Sequence, residues 1–462
     1  MKRIMIGLFV MAMVAGCSSS NEVSSATSSS SSQSLSSELT SSEQEILEAQ
    51  EALYLEQEKS FAFFWETTTN NPESAGFGLS RDRWPGNSSI ASIASVGFAL
   101  AAIPSGVERG YITFNEGYSR ALDTLVSLSQ MTRVEGFYYH FVNMVTGARE
   151  WNSEVSIIDT GLMLAGAIVA AQYFGDEVAT LVDEIYLGVN WDWYVNPDTL
   201  MFYMGYKPET GHGGAWDHFA EQIILYVLAA GHPTYTYGDR LYKRLKFLSS
   251  NFTRGYTSTS TSEVVEPFIY TYDGSLFQHQ FSHAFIDFRD VLDYQNTDWF
   301  INAKRATRAN YLFTLDNANR YKTYSDVSWG ISAGDGPNEY RAYGAQPAKN
   351  NSHNGTIVPY AAVASINYWE YESLMATRHY SAIEELQTTY GFADAYNLGP
   401  LDPSYNPTID ALTPWFDSDV IGIDKGITLL MIENYRSNLI WDMFMSNSRV
   451  IEGLTNLGFS FR

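Results

Sequence analysis

Glu221, Asp159, Glu154 and Asp424 are acidic residues at the edges of apolar runs. Trp216-Asp217-His218-Phe219-Ala220-Glu221 leads into Ile223–Leu228, and Glu154-Val155-Ser156-Ile157-Ile158-Asp159 leads into Leu162–Ala165. Carboxylates are costly to desolvate. They persist in such places where they are hydrogen-bonded, or where a reaction needs a carboxyl with a shifted pKa. Paired acids beside tryptophan and tyrosine suit the chemistry of a glycosidic bond.

Each acid also has a plain structural reading. Glu221, read about a turn into a helix over His218–Ala230, shares a face with Asp217 and Leu225. Apolar Trp216, Phe219 and Ile224 would raise its pKa as a general acid requires; an acidic residue facing the helix dipole is the alternative. Asp159 falls in the first turn of the next apolar helix, where a helix cap is the alternative. Glu154 lies five residues earlier, so the two share a site only if Ser153–Ile158 is a loop curling over the mouth. Asp424, in Ile421-Gly422-Ile423-Asp424-Lys425-Gly426, is either an N-cap or a site acid. Its flanking glycines let backbone approach a ligand closely. His279, His283 and Asp287 follow a four-residue spacing, but no glutamate follows His279 as in a zincin and no third histidine is suitably placed. No metal is expected there, and hydrogen bonding to substrate or core is preferred. With no phosphate loop, dinucleotide fingerprint or nucleophile elbow, neither a cofactor nor serine chemistry is expected.

These residues must be held by helices, because apolar residues recur at three and four along most of the chain. The spacing predicts helices over 45–67, 90–103, 115–129, 158–174, 177–189, 218–230, 240–248, 279–292, 299–315, 360–368, 370–386 and 425–444. Turn chemistry at Pro85-Gly86, Gly136, Gly211–Gly214 and Gly231-His232-Pro233 separates several of them. A dozen helices without a fixed-length repeat predict an all-α helical toroid with its site at one mouth; an α-solenoid would carry a period that is not found.

The chain's beginning reads as a targeting segment. Lys2 and Arg3 precede an apolar stretch, Ile4–Val14, too short to span a bilayer as an ordinary anchor. Val14-Ala15-Gly16-Cys17 resembles a bacterial lipobox, making Cys17, the chain's only cysteine, the lipidated residue. Ser18 follows without an aspartate, which by the usual lipoprotein sorting rule points to the outer membrane of a bacterial envelope. Residues 18–43 are serine-rich and read as a flexible tether, leaving 44–462 as one large domain. The formal charge of −24 excludes nucleic acid as a natural partner and suits a neutral ligand. Aromatics at 15% exceed what a core alone needs and suit stacking on sugar faces.

A collinear series of motifs sharpens the reading: Phe64-Trp65-Glu66, Gly78–Arg83, Ser95–Phe98, Glu108–Tyr111, Gly136–Phe141, Glu154–Thr160, His279–His283, Trp329-Gly330 and Ile423–Gly426. Together they resemble the glucoamylase-like domain of glycoside hydrolase family 144 over nearly all of 55–462. The resemblance implies an (α/α)6 barrel that hydrolyses β-1,2-glucan with inversion, acting alone as a monomer. It implies Glu221 as proton donor and Asp159, Glu154 and Asp424 as the other cleft acids. It implies sugar contacts at Arg83, His140, Trp216, Gln280, His283 and Trp329. Two departures stand out: Lys425, where the resemblance expects glutamine, and an insertion-like stretch at Thr253–Glu266. Endo action, exo release of sophorose, another β-glucan as substrate, and a glycan-binding lipoprotein without turnover all fit the sequence, and fold alone does not choose among them.

Overall fold

Burial alternates along the chain. A computed structural model describes residues 40–402 and 414–462, so the lipobox cysteine Cys17 and the expected tether up to residue 39 lie outside the described residues. The described helices are α1 (Ser41–Glu66), α2 (Ile93–Glu108), α3 (Phe114–Gln130), α4 (Ile157–Phe174), α5 (Asp176–Leu187), α6 (Ile223–Ala230), α7 (Arg240–Ser249), α8 (Phe281–Phe285), α9 (Trp299–Asp316), α10 (Pro359–Val363), α11 (Glu370–Ser381), α12 (Gly422–Ser437), α13 (Leu439–Ser446) and α14 (Ser448–Asn456). The even-numbered helices through α12 are buried nearly all round: 14 of 16 residues in α2, 15 of 18 in α4, every residue of α6. The odd-numbered ones bury one face, such as 8 of 26 residues in α1 and 4 of 12 in α5. A helix apolar on all sides belongs inside, and one with a stripe belongs outside. Helix α4 is apolar and long enough to cross a membrane by composition, but 83% of it is buried inside the fold.

Contacts link the buried helices to one another: α2 packs on α4 and α12, α4 on α6, and α12 on α8 and α10. Around them, α1 lies against α11 and α12, and α3 against α5. Gly97 and Gly166 let α2 and α4 touch backbone to backbone, since a Cβ on Gly166 would stand 1.8 Å from the Gly97 carbonyl oxygen.

Several expected elements differ. Helix α1 starts at Ser41, inside the expected tether, because Thr40 and Glu43 form a reciprocal capping box. The run 218–230 is helical only from Ile223, so Glu221 precedes the helix rather than sitting a turn inside it. The run 279–292 breaks into a 3-10 turn (Leu276–His279), the short α8 and a strand, so His279, His283 and Asp287 do not share one helical face. Asp287 pairs instead with Arg289 at 2.6 Å. The run 425–444 divides at Asn438, whose φ of 61° ends α12. In each case a wholly buried segment is apolar without being continuously helical, and periodicity cannot tell the two apart.

Short two-stranded pairings staple the connecting loops. Arg83–Trp84 pairs with Val420–Ile421, Ile90–Ser92 with Phe141–Asn143, and Ala333–Gly334 with Arg341–Ala342. The insertion-like stretch is a hairpin, Thr253–Thr257 with Val264–Ile269.

Candidate active site

One cavity of about 470 Å³ gathers the starting ends of all six buried helices. It is lined by Ser92 and Ala94 at α2, Asp159 and Leu162 of α4, Glu221 ahead of α6, Phe281 of α8, Tyr360 of α10 and Asp424 of α12. Helix N-termini carry partial positive charge and unpaired N–H groups, so acidic side chains and polar ligands are favoured there.

Glu221 is fixed by its backbone. The Ser282 hydroxyl donates to the Glu221 carbonyl and accepts from the Ile224 N–H, while the Gln222 side chain ties Ala220 to His218. One carboxyl oxygen, Oε2, is buried and has no hydrogen-bond partner. Burial first, then the nearby charges of Asp273 and Asp159, push its pKa up to about 8. It is therefore a protonated acid at neutral pH.

Asp159 is its opposite. The Ser156 hydroxyl and the His140 Nε2, at 3.4 Å, both face its carboxylate. His140 also bonds Glu154 through Nδ1 at 3.0 Å. Burial alone would lower the His140 pKa, but Asp159, Glu154 and Asp82 outweigh it and hold the ring charged, at about 9. The hydrogen bond from His140 is the main reason that Glu154 is pulled down to about 2. A charged imidazole thus stands between the Glu154 and Asp159 side chains.

Asp424 belongs to a third environment, crowded with acids. Burial, then Asp394 and Asp335, raise it well above the usual carboxylate range. Burial raises Asp394 to about 6, and burial followed by Asp394 and Asp335 raises Asp417 to about 8. Asp394 Oδ1, Asp417 Oδ2 and Asp424 Oδ2 are buried without a donor, so these carboxyls share protons, like charges being unable to ionise together at such range. Asp335, Asp394 and Asp417 bring their oxygens within 4.8 Å, a spacing that could take a hard cation. Arg83 already supplies positive charge here, bonding Asp335 at 2.8 Å and Asp419 at 3.3 Å, and we read the group as an arginine-clamped, proton-sharing cluster.

Arg83, His140, Asp159, Glu221 and Asp424 therefore meet in the cavity, and Glu154 braces His140. The other expected sugar contacts do not line it. Trp216 is 6% exposed and packs in the core. Gln280 has no exposed surface and donates to the Ala361 carbonyl and the Ser365 hydroxyl. His283 packs on Phe288 and Tyr368, and burial lowers its pKa to about 3. Trp329 is wholly buried and donates to the Glu372 carbonyl. Inside a wholly buried segment, polar and aromatic residues serve the core as readily as a ligand.

The family comparison covers the second half of this site. The model of the family described as "Putative glucoamylase" matches residues 214–448. The chain belongs to that family. Among curated proteins, an exo β-1,2-glucooligosaccharide sophorohydrolase (non-reducing end) from Parabacteroides distasonis is 27% identical over 443 residues, covering 88% of this chain and 58% of the relative. The chain thus spans somewhat over half the length of that curated relative. Among solved structures, an endo-β-1,2-glucanase from Chitinophaga pinensis, in complex with sophorotriose and glucose, is 25% identical with a TM-score of 0.76, covering 89% of this chain and 98% of that one. A family member from Bacteroides uniformis is 28% identical with the same TM-score of 0.76, covering 89% and 98%.

Residues lining the cavity or surrounding its acids that sequence reasoning missed fall into two groups. Phe141 and Trp151 form an aromatic wall: Phe141 stacks on His140 at 3.8 Å and packs against Trp151 at 5.0 Å. Trp151 is 52% exposed, and both it and Asn152 have positive φ, which swings the indole over the mouth. A positive φ in a bulky residue marks a position worth functional notice, but it is invisible before folding. The acids Asp82, Asp335, Asp394, Asp417 and Asp419 sit in loops with no local pattern. Tyr340 shows the same split character, nearly half exposed as a residue, with burial and then Asp424, Asp394, Asp335 and Asp82 raising its hydroxyl well above the usual range.

Proposed function

We propose that this chain is an inverting glycoside hydrolase that cleaves β-1,2-glucan, with Glu221 as the proton donor. The observation that carries the reading is the meeting of three carboxyls in different surroundings, Glu221, Asp159 and Asp424, in one cavity at the helix N-termini. The β-1,2-glucan chemistry of the relatives supports the substrate. In this reading the six buried helices close as the inner ring of an (α/α)6 barrel and the odd-numbered helices form its outer ring.

Glu221, protonated at neutral pH, gives its proton to the departing glycosidic oxygen. A water attacks the anomeric carbon from the opposite face, and its proton passes to Asp424. A base works best with a pKa near the operating pH. The Asp394–Asp424 pair meets that need as a monoanion: Asp424, the more strongly raised member, accepts the water's proton as it hands its own to Asp394. Asp159, positioned by Ser156 and His140, stabilises the positive charge that develops on the sugar ring. Arg83 and the Trp151–Phe141 wall bind the flanking units.

The test is product analysis on linear β-1,2-glucan beside laminarin, cellulose and starch, with the first-formed anomer read by NMR. β-1,2-glucan should be cleaved and the α-anomer released first. Cleavage of another glucan alone, or binding of β-1,2-glucan without turnover, overturns the reading. We further infer a lipid anchor at Cys17 and an outer-membrane location, supported by the lipobox. A Cys17→Ser protein that still fractionates with membranes would refute it.

A further inference from the structure

A second, much smaller cavity lies directly behind the carboxyl pair. It offers about 10 Å³ of room for a water centre, and every residue around it is buried. Asp424 and Asp394 lie on one side, Lys425, Glu56, Tyr360 and Thr428 add polar groups, and apolar residues complete the lining. Lys425 and Glu56 make an ion pair at 2.6 Å, with side chains only 6% and 3% exposed. The second Glu56 oxygen accepts from the Phe392 N–H at 3.0 Å, two residues from Asp394. The Thr428 hydroxyl is already used, donating to the Asp424 carbonyl.

A buried ion pair is expensive to desolvate and is weak evidence of stabilisation by itself. This one is also the point where the sequence departs from the resemblance, with lysine in place of the expected glutamine. Asp424 Oδ2 and Asp394 Oδ1 have no donor beyond the proton that the pair shares, and each can accept a further hydrogen bond. A space of this size, with two to four hydrogen-bonding groups on its lining, holds one water.

We propose that this cavity holds a single ordered water that bridges the Asp394–Asp424 carboxyls to Lys425, and that the Lys425–Glu56 pair acts through it as a positioning pair for Asp424. The proposal rests on the reading of Asp424 as the proton acceptor. Lysine delivers an ammonium charge toward the pair and Glu56 offsets it, so the two residues pull the acidity of Asp424 in opposite directions. The remaining groups facing Asp424 are Arg83 on its strand, Asp335 and Tyr340 on their hairpin, Asp394, and Tyr360 of α10. None of these changes in the test.

The test compares Lys425→Gln, Glu56→Gln and the double variant. Lys425→Gln removes the cation and should move the acidic limb of the kcat profile to higher pH. Glu56→Gln leaves the cation unopposed and should move the same limb to lower pH. Each shift should be at least about 0.5 unit, the order of effect that a unit charge has across a small cavity. The double variant should lie between them with KM unchanged. A merely structural pair would lower the thermal midpoint in both single variants and leave the limb where it was, which overturns the proposal. A crystal structure of the wild type should show the water within hydrogen-bond reach of Lys425 Nζ and an Asp424 or Asp394 oxygen, and a dry cavity overturns the bridge. If the wild type does not cleave β-1,2-glucan, the functional reading fails separately. The water, and opposite shifts of the two single variants in the pH dependence of thermal midpoint, still decide the positioning pair.

Discussion

Glu221, Asp159 and Asp424 are chemically the same group made into three different ones. Glu221 has burial and one oxygen without a donor, Asp159 has a hydroxyl and an imidazolium, and Asp424 has another carboxyl and a proton to share. Environment assigns the roles, as it does wherever paired carboxyls run acid–base chemistry. Glu221→Gln keeps the shape of the side chain and loses only the proton. Turnover of β-1,2-glucan should fall at least about 100-fold, the lower end of what general acid assistance supplies. Oligosaccharide binding and the thermal midpoint should change little. In the wild type the basic limb of kcat/KM should sit near the Glu221 value of about 8. A folded Glu221→Gln enzyme that keeps most of its turnover would remove Glu221 from the mechanism.

Elements decide how closely these residues can be brought together. Helices α2 and α4 cross at Gly97 and Gly166, where an added Cβ meets backbone at 2.5 Å and 1.8 Å respectively. Backbone cannot swing aside as a side chain can. Gly166→Ala should therefore destabilise the protein by about 1–3 kcal/mol or more, seen as a lower denaturant midpoint, with activity falling in step because α4 carries Asp159. An unchanged midpoint would mean that the crossing is looser than the structure draws it. Much of this layer was legible in the sequence. The wholly apolar runs announced buried helices, and the polar residues at their starts announced Asp159 and Asp424. What was not legible is set by long-range pairing. Arg83 reaches Asp419 across 336 positions, through a strand pairing only two residues long on each side. Asp394 and Asp417 have no helix to mark them. The position of Glu221 was misread for a local reason: the 218–222 segment is apolar enough to pass for helix, yet the Gln222 side chain bonds Ala220 and His218 and holds it as a loop. Gln280, His283 and Trp329 lay on apolar runs where core and ligand contacts look alike until the cavity is located.

At the scale of the whole molecule, an acidic chain has concentrated part of its charge around one cavity, and this gives its stability a defined dependence on pH. The folded pKa values of Asp394, Asp417 and Glu221, at about 6, 8 and 8, lie above those of the same groups in an unfolded chain. At these groups the folded state binds more protons than the unfolded one between about pH 4 and pH 8, and their contribution to stability falls as pH rises through that window. His140, raised to about 9, adds to the same trend from about pH 6.5 upward, because its contribution is complete below the unfolded value and lost through the folded one. Glu154 opposes them in acid: pulled down to about 2, it gives stability that is present above about pH 4.5 and lost below. His279, His283 and His353 oppose them too, because burial holds them neutral, at about 3, 3 and 4, and their contribution is lost as pH falls below about 6.5. Self-repulsion of a net charge of −24 works in the same direction as the raised acids. The protein should therefore be most stable near pH 6.5, with its thermal midpoint at a fixed scan rate dropping by at least about 3 °C between pH 6.5 and pH 8. Asp417→Asn places an amide, which cannot titrate, where burial and two neighbouring carboxylates disfavour charge. It should flatten the slope between pH 6.5 and pH 8 and leave the midpoint at pH 5 nearly unchanged. A wild-type midpoint that is flat or rising from pH 6.5 to pH 8 would show that the cluster carries its charge without cost, and the proton sharing assigned to Asp394, Asp417 and Asp424 would be wrong.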